Sequence, residues 1–289
     1  MSAALEIRGL VKRFHPFMLG PLDMTVPQGA IYGLVGPNGS GKTTTIDMIF
    51  GMGAKESGEI RVFGLDHLKD EVRVKQQVGY VSPDLNYAPW GRVRRAIQFV
   101  RGFYPTWDES YCDHLLHTFG IRRDESITTL SFGARIKLSI VLALSWRPKL
   151  LILDEPTVGL DAISKREVFS ELLHAVHDGD RSVLISSHGL SDIERFADHI
   201  GMIKAGRMIL EGSTAEVIER HRLVDFTPNR GHRIVESPGV FVQEMTGNRW
   251  RVLVDTDRAP IEWLRQNGAD NIAESRVTLE DLVVALGRQ

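Results

Sequence analysis

Three regimes of hydrophobic patterning divide the chain. Through residue 82, short apolar runs alternate with polar positions. Leu5 and Ile7, then Leu22, Met24 and Val26, are each separated by one residue, the period-two pattern of half-buried strands, whereas 30–35 is apolar throughout, like a strand covered on both faces. A further strand is predicted over 58–63 after a Gly/Ser turn, and a helix over 43–50. Between Trp90 and Trp146 the apolar period lengthens to that of a helix, over 94–102, 107–120 and 134–145, which predicts an inserted helical subdomain. From Lys149 onward short β-rich runs return at 150–153, 182–186 and 200–204, separated by helical patterns over 162–178 and 189–197. Strands alternating with helices imply a mainly parallel sheet covered on both faces.

Residues 221–239 hold Pro228, Gly231, Pro238 and Gly239 among charges and predict a linker. Beyond it, 241–245, a Gly247-Asn248 turn and 249–254 predict a hairpin. Helix, strand and helix follow, the last opened by the capping sequence Thr278-Leu279-Glu280-Asp281. The expected organisation is one large domain over 1–220 with its helical subdomain at about 85–146, a linker over 221–239 and a small accessory domain over 240–289.

Composition narrows the class. The 289 residues fit one large domain with an appendage, at roughly 150 residues per domain. With 43% hydrophobic and 25% charged residues the chain has the composition of a soluble globular protein. Lys and Arg number 35 against 37 Asp and Glu, a balance that argues against a nucleic-acid partner. The single Cys112 excludes an internal disulfide and a cysteine zinc cage, and reads as a small apolar residue in a reducing compartment. Residues 1–10 lack the basic-then-apolar layout of a secretion signal. The longest apolar stretch, 136–146, carries Lys137 and is far short of the ~18 residues that span a bilayer. A cytosolic chain that cannot itself form a pore is expected.

Chemistry enters at Gly36-Pro37-Asn38-Gly39-Ser40-Gly41-Lys42-Thr43, where Gly36 and Gly41 enclose four residues and are followed by Lys and Thr. Glycines let successive amides point into one concavity, and the following helix adds its positive end. Lys42 reaches the β/γ-phosphates and Thr43 can ligate Mg²⁺. The run lies between a predicted strand and a predicted helix, the context this P-loop pattern requires. A second element is the apolar strand Leu150-Leu151-Ile152-Leu153 ending in Asp154-Glu155. Ligands of parallel sheets sit beyond the carboxyl ends of the strands, so both acids are delivered towards the P-loop. Asp154 suits an Mg²⁺ partner and Glu155 a base that orients or deprotonates an attacking water.

Leu130-Ser131-Phe132-Gly133-Ala134 follows the P-loop, then the acidic strand, Gly159-Leu160-Asp161 and Ser186-Ser187-His188. In order and spacing these resemble the ATP-binding cassette of ABC transporters over about residues 3–220. The resemblance implies an α/β P-loop NTPase fold: a mainly parallel sheet with an antiparallel β subdomain and an inserted α-helical subdomain, here extended by a small α+β appendage. It also implies ATP and Mg²⁺ as ligands, with Thr44 beside 36–43 in the nucleotide site and Thr43 with Asp154 at the metal. Two cassettes of this family close head-to-tail around two ATP molecules. Ser131 and Gly133 match the signature positions that meet the γ-phosphate from the opposite subunit, Asp161 the interface aspartate and His188 the switch histidine. Phe14 falls where the family stacks a ring on adenine, with core packing a close second reading for a lone Phe.

The chain departs from the family at two places. Phe132, directly after Ser131, stands in the signature's second position, where a Gly is usual, and Ala134 replaces its terminal Gln. In Gly79-Tyr80-Val81-Ser82-Pro83-Asp84, Pro83 occupies the position of a Gln or Glu that touches Mg²⁺, with Ser82 and Asp84 as the nearest substitutes. The expected function is the ATP-hydrolysing subunit of an ABC membrane transporter, an exporter by preference. Its partners would be a multi-pass transmembrane permease and a second ATPase subunit, in a homo- or heterodimer, with the chain peripheral on the inner face of the cell membrane. Residues 85–90, with Tyr87 and Trp90, read either as part of the permease contact or as satellite core. The alternatives are a soluble single-cassette ATPase, as in iron–sulfur assembly, and a low-turnover regulatory subunit of a heterodimer.

Overall fold

The computed structural model describes residues 2–177, 181–229 and 238–287. β1 (Ala3–Arg13) and β2 (Met18–Pro27) form an antiparallel pair in which Leu5 and Ile7 face Val26 and Met24 across the ladder. The next strand, β3 (Ile31–Val35), is buried throughout and runs through the glycine-rich loop into α1 (Lys42–Ile49). β4 (Ser57–Val62) pairs with β1, and the short β5 (Leu65–Asp66) completes a first antiparallel sheet in the order β2-β1-β4-β5. α2 (Glu71–Lys75) leads to β6 (Val78–Val81). Helices α3 (Val93–Arg101), α4 (Glu109–Thr118) and α5 (Phe132–Leu144) then intervene before the chain rejoins the sheet at β7 (Leu150–Asp154). α6 (Ala162–His177), β8 (Ser182–Ser187), α7 (Leu190–Phe196), β9 (His199–Lys204), β10 (Arg207–Ser213) and α8 (Thr214–Arg220) follow.

The central sheet runs β10-β9-β3-β8-β7-β6, parallel except for β10. Because side chains of a strand alternate between faces, each buried strand feeds two cores. Ile31, Leu151, Leu153, Val183 and Ile185 pack with the helices α3 to α7, while Tyr32, Leu34, Leu150, Ile152 and Leu184 pack with α1 and the first sheet. Each of these side chains contributes roughly 1.5–3 kcal/mol on burial. Continuous apolarity of 30–35 and 150–153 is thus the signature of strands sandwiched on both sides. Cys112 is free and buried among the helices.

The chain differs from the linker expected over 221–239. Residues 221–228 form β11 (His221–Pro228), an inner strand of a third sheet ordered β12-β13-β11-β14. Polar residues hid it from pattern reading: Val224 and Phe226 are buried on one face, while Asp225 between them is neutralised by a two-pronged bond to Arg251, both N–O distances 3.0 Å. Residues 230–237, including Gly231, lie outside the described residues. The sheet continues with β12 (Val240–Thr246) and β13 (Arg249–Asp255), joined through Gly247, then α9 (Ile261–Gln266), β14 (Ala269–Ser275) and α10 (Leu279–Gly287). Thr278 and Asp281 cap α10 reciprocally, at 2.9 and 3.2 Å. The Leu279 amide donates to Glu194 of α7 at 2.8 Å, and Leu279 and Leu282 join the helix-side core.

The helical insertion is anchored at Asp108, the N-cap of α4. One oxygen accepts from the Tyr111 amide at 2.9 Å and from the Ser110 hydroxyl at 2.6 Å, and the other from Arg147 just before β7 at 2.8 Å. The Ser110 hydroxyl, the Tyr111 amide and the Arg147 guanidinium together hold its carboxyl well below the usual carboxylate range. A depressed native pKa supplies stability above the unfolded value that is lost as acid protonates the group. Asp108→Ala is therefore expected to cost about 1 kcal/mol at pH 7 in urea unfolding, and the gap to wild type should close as pH falls below about 4.

Candidate functional site

The carboxyl ends of β3, β7 and β8 lie side by side, since β3 pairs with β8 and β8 with β7 in parallel register. Whatever follows each strand must therefore meet. After β3 the chain turns at Gly36, whose φ of +153° and surroundings admit only glycine: a Cβ there would lie 2.1 Å from the Ile203 carbonyl oxygen. Pro37, Asn38 and Gly39 form the exposed rim of the loop, and Ser40 and Gly41 return into the interior. The Ser40 carbonyl accepts from Gly206 at 2.9 Å, while its hydroxyl is buried without a hydrogen-bond partner among the described residues. Gly41 opens α1 in the left-handed region, and Thr43 and Thr44 occupy the first turn, Thr43 exposed.

Lys42 is 6% exposed, and its ammonium donates to the Gly36 carbonyl at 2.8 Å and the Pro37 carbonyl at 3.3 Å. Glu155 Oε1 lies 3.6 Å from the same nitrogen, and Glu155 Oε2 lies 2.7 Å from His188 Nδ1. Glu155 has φ +47°, a conformation disfavoured for a residue with a Cβ, and its amide is fixed by the Ser186 hydroxyl at 3.0 Å and carbonyl at 3.2 Å. The Ser186 hydroxyl donates in turn to Asp154 Oδ1. One serine thus sets both acids. Ser186 was quoted in the sequence pattern without a role. Its position one strand over from Asp154, in register, is what a strand-pairing argument could have supplied.

An oxygen-rich corner lies beside this triad. Burial, with the charges of Asp154 and Asp84, holds the Asp47 carboxyl above its ordinary range. Asp47 sits one helical turn beyond Thr43, so the two share a helix face. Ser82 is buried and accepts from the Asp84 amide at 3.2 Å, around the Pro83 that departs from the family pattern. Among the described residues no three acidic, histidine or cysteine side chains converge into a metal-binding group, but the oxygens of Thr43 and Asp154 are of the kind a hard dication such as Mg²⁺ prefers.

Phe14 is 44% exposed and 6.4 Å from the Phe17 ring; Phe17 approaches Gly41, whose Cβ would lie 3.2 Å from Phe17 Cζ. The structure thus brings Phe14 to the loop side of the site, with the Lys12 ammonium 5.3 Å from its ring centroid.

Ser131, Gly133 and Asp161 form a separate cluster. Ser131 caps α5 by accepting from the Ala134 amide at 3.1 Å, and Asp161 caps the start of α6. The Ser164 amide and hydroxyl, then the Ile163 amide, hold the Asp161 carboxyl below its ordinary range. These residues line a cleft of about 350 Å³ to which 36–43, Asp154, Glu155 and His188 contribute nothing. A second, apolar groove of about 380 Å³ lies between β6 and the helical insertion, lined among others by Leu85, Tyr87, Phe99, Phe103 and Tyr104. Trp90 backs it, 4.7 Å from the Phe99 ring. Sequence reading reached Leu85 and Tyr87 but not Phe99, on the exposed side of α3, or Phe103, in the turn that follows it.

The family model described as "ABC transporter" matches residues 19–158. Among curated proteins the chain is 30% identical over 287 residues to the ABC transporter ATP-binding protein YtrB of Bacillus subtilis, covering 97% of each chain. It is 34% identical over 236 residues to the daunorubicin/doxorubicin resistance ATP-binding protein DrrA of Streptomyces peucetius, 75% of this chain and 67% of that one. A solved ATP-binding subunit of an ABC transporter superposes with TM-score 0.68 over 75% of this chain and 92% of its own, at 24% identity.

The doubly bonded Ser186 gives a test of the site's construction. Ser186→Ala leaves a buried Asp154 oxygen without its hydroxyl donor and the Glu155 amide with only the backbone carbonyl of residue 186, so urea unfolding should show a loss of about 1–3 kcal/mol. Wild-type stability in this variant would contradict the bonding described.

Proposed function

The chain belongs to the ABC transporter family and is an ATP-binding, ATP-hydrolysing subunit, and on that premise we propose how its residues divide the work. The triphosphate lies along the amides of 36–43 with Lys42 at the β/γ-phosphates, and Phe14 stacks on the base. Thr43 and Asp154 would hold Mg²⁺, which when bound neutralises phosphate charge. Glu155, held by Ser186 and lying beside His188, orients and deprotonates the attacking water, which displaces ADP in line. His188 keeps the Glu155 carboxylate aimed and meets the γ-phosphate. The observation that carries this reading is the Lys42–Glu155–His188 chain at 3.6 and 2.7 Å, which joins the loop, β7 and β8 at one point.

Ser131, Gly133 and Asp161 belong to a face turned to a second ATPase subunit, and their separation from Lys42 within one chain supports this. The helix dipole at Ser131 would meet the γ-phosphate held by the opposite copy. Closure on ATP and reopening after hydrolysis are then the two states of the machine. No helix among the described residues is long and apolar enough to cross a membrane. Work is accordingly delivered to a transmembrane permease docked in the aromatic groove, with the chain on the inner face of the membrane. Similarity to a protein named for drug resistance favours export.

Two outcomes check these assignments. Glu155→Gln should lower ATP turnover at least about a hundredfold while MgATP still binds and a closed dimer accumulates; equal turnover in wild type and variant would favour the low-turnover regulatory reading. Phe103→Glu, at a side chain 63% exposed in the groove, should leave turnover of the isolated chain within about twofold and reduce the membrane-bound fraction in cells about tenfold. A wild-type chain recovered wholly free of membranes would favour the soluble single-cassette reading instead.

A further inference from the structure

The partner-facing cluster contains a contact that the capping bonds do not require. Phe132, the first residue of α5, lies across the turn that precedes α6. A Cβ built on Gly159 would fall 2.8 Å from Phe132 Cδ1 and 3.1 Å from Cε1, so the ring rests directly on the glycine backbone. The contact is reciprocal one residue on: a Cβ on Gly133 would fall 2.9 Å from Leu160 Cδ2. Two glycines and two apolar side chains therefore interdigitate, ring over Gly159 and Leu160 over Gly133. Only residues without side chains allow so close an approach. Despite this contact Phe132 remains 42% exposed, and Ile163, two residues beyond Asp161, is 74% exposed.

We propose that Phe132 is a positioning residue that ties the signature segment to the 159–161 turn, so that Ser131 and Asp161 are presented to the second subunit as one rigid unit. This rests on the head-to-tail reading above and deepens it. Ser131 and Asp161 each fix only their own helix through local caps, and a local cap says nothing about the distance between helices. Lys137 of α5 donates to Glu167 of α6 at 2.9 Å more than a turn into each helix, and the Phe132–Gly159 contact fixes the spacing at the partner-facing ends. Without the ring, the 159–161 turn would retain Leu160 against Gly133 as its link to α5, and Asp161 would reach the interface in a spread of positions. An interface built from pre-positioned groups loses affinity when its parts must be ordered on binding. The exposed edge of Phe132 and the exposed Ile163 flank Asp161 and would be covered by the second copy.

The test uses the full chain. In Phe132→Ala, amides of 158–161 should exchange with deuterium about tenfold faster, with exchange across α1 and MgATP affinity unchanged. Phe132→Leu, which keeps apolar bulk, should restore most of the protection. A double-mutant cycle isolates the contact. Gly159→Ala is strained by its positive φ of +72° in any background, but only with Phe132 present does the new methyl also clash. Its effect should therefore be markedly smaller in the Phe132→Ala chain. In the Glu155→Gln background, Phe132→Ala should raise the dissociation constant of the ATP-dependent dimer about tenfold. Unchanged exchange at 158–161, or additive effects in the cycle, would overturn the proposal. Should the Glu155→Gln chain form no ATP-dependent dimer at all, the head-to-tail reading fails, while exchange and the cycle still decide whether Phe132 ties the two segments.

Discussion

The structure depends on an ammonium held among oxygens at the end of a parallel sheet. Lys42 is almost fully buried, and a buried cation is tolerable only where carbonyls and a carboxylate compensate it. The Gly36 and Pro37 carbonyls do so because the loop curls around the side chain, and Glu155 because β8, paired with both β3 and β7, holds the ends of those strands in parallel register. The loop's curl requires glycine at position 36, and the pairing of strands requires their continuous apolar runs. Charge, backbone conformation and core packing are thus parts of one arrangement.

That arrangement also explains a division of surfaces. The groups around Lys42 form one constellation, and the caps of α5 and α6 form another that shares none of its residues. Each helix cap presents amide dipoles and a short polar side chain, a chemistry suited to anions, yet within a single chain it faces no phosphate cradle. The second ATPase subunit proposed above would resolve this. The aromatic groove adds a third surface, where Phe99, Phe103 and Tyr87 leave apolar area next to β6, the strand that leads into Ser82 and Asp84. A partner seated there would bear directly on the acidic corner beside Asp154.

Much of this was legible before any coordinates. Period-two and continuous apolar runs marked the strands, the three helices of the insertion fell within a residue or two of their expected positions, and the glycine-rich run and the acidic pair lie at the ends of β3 and β7, where their spacing places them. Other features were not, for physical reasons. β11 alternates buried apolar residues with an aspartate that Arg251, 26 residues away, and Arg249 make tolerable, so its polarity imitated a linker. Ser186 matters because of strand register, a long-range property that no local window contains. Phe99 looks like core on a helical wheel but is surface because α3 is covered on one side, and Phe103 lies in the turn beyond that helix, where periodicity gives no signal. Phe132 stood out as a departure from a family pattern, but its contact with Gly159 required the fold.

The central claim is that the loop over 36–43 and Lys42 grip the triphosphate of ATP. Calorimetric titration of the full chain with MgATP, beside Lys42→Ala, tests it most directly. The account predicts saturable binding that weakens at least about a hundredfold in the variant, as expected when a charged phosphate contact worth roughly 3 kcal/mol is removed. Equal affinity in the two chains would contradict it.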